Sequence, residues 1–122
     1  MIYSYVKMGK NCQVFPGAVV GAIPQDLKYE GEVTYVEIGD NVTIRECVTI
    51  NRGTKASGKC VTKIGSNTLL MSYVHVAHDC VVGNHCILVS FVGIAGETVV
   101  DDWALVGGGA KAHRFSTIGC NA

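Results

Sequence analysis

The run Val74-His75-Val76-Ala77-His78-Asp79 places two imidazoles three residues apart and a carboxylate directly after the second. Histidine exchanges a proton near neutral pH, and an adjacent carboxylate can fix its tautomer and support its charged form. This is the pattern of a general base with its orienting partner. On spacing alone it suits equally well two solvated histidines on a surface corner. The four histidines His75, His78, His85 and His113 also admit a zinc site. What lies opposite His78 separates these readings, and that is a question of fold.

From Ile64 to the C-terminus the chain repeats every six residues. Position one is Ile64, Leu70, Val76, Val82, Leu88, Ile94, Val100, Val106, Ala112 and Ile118. Position five is Thr68, Val74, Cys80, Cys86, Val92, Thr98, Ala104, Ala110, Ser116 and Ala122, never larger than valine. A period of six with a small second inward slot suits a chain that turns a corner every hexapeptide, three short strands making one triangular coil: a parallel β-helix. The same grammar begins at Ile2, Met8, Val14 and Val20 and resumes at Ile38, Ile44 and Ile50. Residues 25–35 carry no usable repeat, and residues 52–63 shift the register by two, so both read as loops thrown off the coil. Such loops usually lie on a solenoid's functional face.

Three hexapeptides make eighteen residues per coil, which stacks Gly96 on His78 at a rise of about 4.8 Å, the spacing of paired strands. An imidazole beside a backbone amide unobstructed by a side chain is the minimum apparatus of acyl transfer, one removing a proton from an attacking hydroxyl and the other holding the oxyanion. His85 and His113 fall elsewhere in the repeat, so no three histidines converge and neither metal nor cofactor is expected.

Composition fits one all-β solenoid domain over residues 1–122. Ten acidic and ten Lys/Arg side chains leave no basic field for nucleic acid. The longest apolar run, about Ile87 to Gly96, is too short to span a bilayer, and residues 1–9 lack a secretory signal's apolar segment, so a cytoplasmic location is expected. Fifteen glycines against two prolines fit many tight corners, since glycine accepts positive φ. Of six cysteines, Cys12, Cys80 and Cys86 occupy the small inward slot as core filler, and Cys47, Cys60 and Cys120 show no ligand spacing. The repeat is under way by Ile2 and still running at Ala122 without a cap, the expectation for part of a longer protein.

The segments IPQDLKYEGE, VEIGDNVTIRECVTINRGT, KIGSNTLLMSYVHVAHDCVVGNHCIL and GGGAKAHRF, in this order and spacing, resemble the UDP-N-acetylglucosamine O-acyltransferases that begin lipid A (lipopolysaccharide) synthesis. The resemblance covers essentially the whole chain. It implies a left-handed β-helix, a homotrimer with active sites between subunits, and transfer of a 3-hydroxyacyl chain from acyl carrier protein to the sugar 3-hydroxyl. Carried over by motif, His78 is the base, Asp79 orients it and Gly96 supplies the oxyanion N–H. Gln25, Asp26 and Lys28 would contact the sugar nucleotide and acyl chain, His75 the substrate, and His113 and Arg114 the cleft. Glu97 stands where the family has a histidine, and Arg114 where it has a glutamine. The family's C-terminal helical region and further N-terminal coils are absent from this sequence. A remnant that only assembles and a related sugar N-acyltransferase are the alternative readings.

Overall fold

The computed structural model describes residues 1–27, 29–107, 111–112 and 117–119. Every element in it is a strand. The first coil comprises β1 (Val6–Met8), β2 (Gln13–Val14) and β3 (Val19–Ala22). The second comprises β4 (Tyr35–Ile38), β5 (Thr43–Ile44) and β6 (Thr49–Asn51), and the third β7 (Val61–Ile64), β8 (Leu69–Leu70) and β9 (His75–Val76). Then follow β10 (Val81–Val82), β11 (Ile87–Leu88) and β12 (Gly93–Ile94), and next β13 (Val99–Val100), β14 (Leu105–Val106) and β15 (Lys111–Ala112). β16 (Thr117–Ile118) opens another turn.

Every third strand pairs in parallel, giving three sheets ordered β1-β4-β7-β10-β13-β16, β14-β11-β8-β5-β2 and β15-β12-β9-β6-β3. The result is a parallel β-helix, as the repeat predicts, with the left hand that the resemblance implies. Register follows the eighteen-residue step: Ile64 pairs with Val82 and Val82 with Val100, Leu70 with Leu88, and Val76 with Ile94. These position-one side chains stack inside the prism, essentially inaccessible to water, beside the smaller Val74, Cys80, Cys86, Val92, Thr98 and Ala104. Two bulky residues per hexapeptide would not fit the triangular section, whereas a branched aliphatic and a small partner fill it. Each fully buried Ile, Leu or Val stabilises the fold by about 1.5–3 kcal/mol. Burial pushes the Cys80 thiol up to about 11, so it is packing material at neutral pH.

Glycine turns few of the corners: Gly17, between β2 and β3, does so at φ 80°. Seven successive corners from Asn67 to Trp103 are turned by non-glycine residues with φ between 58° and 66°, among them Asp79, Glu97 and Trp103. A left-handed conformation costs such residues roughly 1–2 kcal/mol, and stacking on the next coil offsets it: Tyr73 lies on Phe91 with ring centroids 5.2 Å apart, and His85 on Trp103 at 4.1 Å. Glycine is required instead where coils approach backbone to backbone. A Cβ at Gly65 would lie 2.4 Å from the Gly83 carbonyl carbon.

Both loops leave the same corner of the prism. Loop 1 (residues 23–34) connects β3 to β4, and loop 2 (residues 52–60) connects β6 to β7. The connections from β9 to β10 and from β12 to β13, which carry His78-Asp79 and Gly96-Glu97, turn that same corner on the next coils. Loop 1 starts and ends slightly earlier than residues 25–35, and loop 2 ends earlier than residue 63, because Tyr35 and Val61 are paired to each other in β4 and β7.

Candidate functional site

At position three of its hexapeptide, each corner after β1, β4, β7 and β10 carries a backbone N–H that the next coil caps with a side chain. Lys10 donates to Asp40 Oδ1 at 2.8 Å, Asp40 to Ser66 Oγ at 2.9 Å, and Ser66 and Asn84 to the side chains of Asn84 and Asp102 at 2.7 Å each. At the loop-bearing corner the equivalent positions are His78 and Gly96, so this ladder is replaced. A Cβ on Gly96 would fall 2.4 Å from His78 Nε2 and 2.6 Å from Cε1. The missing side chain makes the space that the imidazole fills, and Gly96, itself buried, lines the cleft beside it.

His78 is not a solvated surface histidine. It is 6 % exposed and Asp79 is fully buried, because loops 1 and 2 cover the corner that the repeat alone leaves open. His78 Nδ1 lies 2.8 Å from Asp79 Oδ2, the contact that presents Nε2 to the cleft. Asp79 turns the corner in the left-handed region with φ 61°, a conformation that aspartate tolerates well, and its amide donates to Thr62 Oγ1 at 2.8 Å. Its carboxylate accepts the Thr54 N–H (2.8 Å at Oδ1, 3.1 Å at Oδ2) and the Thr54 hydroxyl (2.6 Å at Oδ2). Four residues after Ile50, Thr54 falls by spacing in a small inward slot of the repeat. Only the path of loop 2 brings it to the aspartate.

Loop 1 closes the other side, where Asp26 Oδ2 stands 3.3 Å from His78 Nε2. Gln25, Asp26, Asn51, His75, His78 and Gly96 line a cleft of about 450 Å³. His75 projects half-buried from β9, with Nδ1 2.7 Å from Thr49 Oγ1, and burial holds its pKa below the ordinary imidazole value. The Glu97 N–H donates to the His78 carbonyl at 3.0 Å, tying the two coils directly behind the imidazole. Lys28, His113 and Arg114 lie outside the described residues. A larger groove, about 810 Å³, runs past Lys7, Glu37 and Lys63 on another face and contains neither histidine nor cysteine.

Among the described residues no three His, Cys, Asp or Glu side chains gather as a metal site would require. His85 stacks on Trp103 at a different corner from His75 and His78. Cys47 and Cys60 are partly exposed free thiols, and no described helix is long and apolar enough to cross a membrane. The site is thus one of oxygen, nitrogen and backbone amide: a paired imidazole facing a glycine, with a second carboxylate across the opening.

The family model for the bacterial transferase hexapeptide (six repeats) matches residues 62–96. The acyl-(acyl-carrier-protein)–UDP-N-acetylglucosamine O-acyltransferase of Aliarcobacter butzleri is 50 % identical over 112 residues, 92 % of this chain and 43 % of the relative. Its counterpart in Chlorobaculum tepidum is 60 % identical over 75 residues, 62 % of this chain and 28 % of the relative. A crystal structure of a UDP-N-acetylglucosamine acyltransferase superposes with a TM-score of 0.94 at 47 % identity, covering 97 % of this chain and 45 % of the other. The Campylobacter jejuni UDP-N-acetylglucosamine acyltransferase gives 0.83 at 38 % identity, covering 97 % and 52 %. The chain spans less than half the length of these curated relatives.

Proposed function

This chain belongs to the UDP-N-acetylglucosamine O-acyltransferase family, of whose members it spans about half or less, and we propose that its cleft transfers a 3-hydroxyacyl group from acyl carrier protein to the sugar 3-hydroxyl of UDP-N-acetylglucosamine. The observation that carries this reading is the buried His78–Asp79 pair facing Gly96 beneath loop 1.

His78 Nε2 takes the proton from the sugar hydroxyl as its oxygen attacks the thioester carbonyl carbon. The oxyanion that forms is held by the Gly96 N–H. As the tetrahedral intermediate collapses, the carbon–sulfur bond breaks and the imidazolium returns the proton to the departing carrier thiolate. Asp79 keeps Nδ1 protonated throughout and balances the transient positive charge. Asp26 and Gln25 bind sugar hydroxyls at the mouth, and His75 borders the same opening; Lys28, His113 and Arg114 complete the substrate contacts.

Assembly belongs to the same proposal. Leu69, Ile87 and Leu105 stack in register on the outer surface of the sheet containing β8, β11 and β14, with Ile87 and Leu105 well exposed. The outer surface of the neighbouring sheet carries Lys7, Glu37 and Lys63 before the same stack continues in Val81 and Val99. The apolar stack supports a homotrimer in which Leu69, Ile87 and Leu105 are buried against a neighbouring copy, and a cytoplasmic location belongs to the same reading. The direct test is incubation of the chain with 3-hydroxyacyl carrier protein and UDP-N-acetylglucosamine, with acylated sugar nucleotide as the readout. Absence of product over a carrier-only control would reject the proposed reaction.

A further inference from the structure

We infer that Thr54, on loop 2, is the positioning residue of the base pair, acting on His78 through Asp79. Asp79 has no access to water, so donors from the protein must replace its hydration. Thr54 supplies two of them: its amide spans both carboxylate oxygens at 2.8 and 3.1 Å, and its hydroxyl reaches Oδ2 at 2.6 Å. Oδ2 is also the oxygen that faces His78 Nδ1 at 2.8 Å. Thr54 therefore fixes the rotation of the carboxylate, and with it the plane and tautomer of the imidazole. Thr62 pins the other end of the same residue by accepting the Asp79 N–H.

The surrounding backbone is shaped for this contact. Thr54 is 2 % exposed. At the preceding residue, a Cβ on Gly53 would lie 2.8 Å from Asp79 Oδ1 and 2.2 Å from the Val61 nitrogen, so only glycine lets loop 2 approach this closely. Loop 2 breaks the eighteen-residue step, since Ile38 pairs with Ile64 where Ile64 pairs with Val82. The insertion delivers a threonine to the only fully buried carboxylate among the described residues.

This role rests on the proposed transfer, so the test carries a readout independent of activity. Thr54→Val keeps the volume and removes the hydroxyl; Thr54→Ser keeps the hydroxyl. Nitrogen-15 NMR of the full chain is expected to show His78 as a single Nδ1–H tautomer in the parent and in Thr54→Ser, and as a tautomer mixture in Thr54→Val. In the transfer assay, Thr54→Val should lose about 10- to 100-fold in kcat, the range in which the outer partners of metal-bound histidines act, with KM within about twofold and Thr54→Ser near parent. A Thr54→Val protein that retains the single tautomer and parent kcat would overturn the role. So would a Thr54→Ser protein as impaired as Thr54→Val in both readouts, since the hydroxyl would then not be the cause. A parent chain without transfer would sink the proposed reaction instead, and the tautomer comparison alone would decide the role of Thr54.

Discussion

His78 and Asp79 derive their chemistry from contacts that no single hexapeptide contains. Their adjacency, and the stacking of Gly96 eighteen residues on, are legible in the sequence because a uniform coil turns spacing into geometry. Asp26, Thr54 and Thr62 are not legible in this way: all three fall in the segments 25–35 and 52–63, where no repeat fixes the path of the chain. His75 offers a test at this scale. Burial lowers its pKa in the folded state, so the unfolded chain binds a proton more readily. Stability should therefore fall as pH drops below the unfolded value of about 6.5 and continue to fall until the folded form titrates as well. In thermal melts from pH 7.5 to 5, His75→Gln is expected to lose less stability on acidification than the parent. An unchanged pH dependence would remove His75 as a contributor.

Loops 1 and 2 act as a joined cover. Arg52 Nη2 donates to the Tyr29 hydroxyl at 2.7 Å, and that hydroxyl donates to the Glu32 carbonyl at 2.8 Å. The Lys55 N–H donates to Glu32 Oε2 at 3.0 Å, and the Arg52 guanidinium lies 5.2 Å from the centre of the Tyr5 ring. The clasp holds loop 1 over the corner, which is what brings Asp26 to His78. Arg52→Ala should release loop 1 without unfolding the coil, raising KM for the sugar nucleotide about tenfold, the effect of losing ~1.4 kcal/mol of binding, while kcat changes less. Limited proteolysis should cut near Leu27 sooner than in the parent. Equal KM and equal cleavage rates would show that the clasp does not order the loop. The sequence marks these segments as departures from the repeat, but not that they bind each other, because the pairing depends on their leaving stacked strands at one corner.

At the scale of the whole prism, the three faces differ in what they offer a partner. Period and inward pattern predict the coil, its eighteen-residue step and its core. The outward residues carry no constraint from the coil, so the apolar stack Leu69, Ile87 and Leu105 becomes visible only once the register places these side chains above one another. Ile87→Glu combined with Leu105→Glu should convert a trimer to monomer in light scattering at micromolar concentration, since opposed carboxylates cannot be buried unpaired. A parent chain that is already monomeric would reject both the assembly and a cleft shared between copies.

If His78 Nε2 removes the hydroxyl proton opposite Gly96, replacing that one side chain must slow the transfer. A positioned base contributes typically about 10²- to 10⁴-fold in rate. Single-turnover acyl transfer by His78→Ala, compared with the parent under saturating sugar nucleotide, should therefore be slower by that order, with circular dichroism and molecular mass unchanged because the imidazole lies outside the prism's interior stack. A His78→Ala protein that transfers the acyl group at the parent rate would contradict the account.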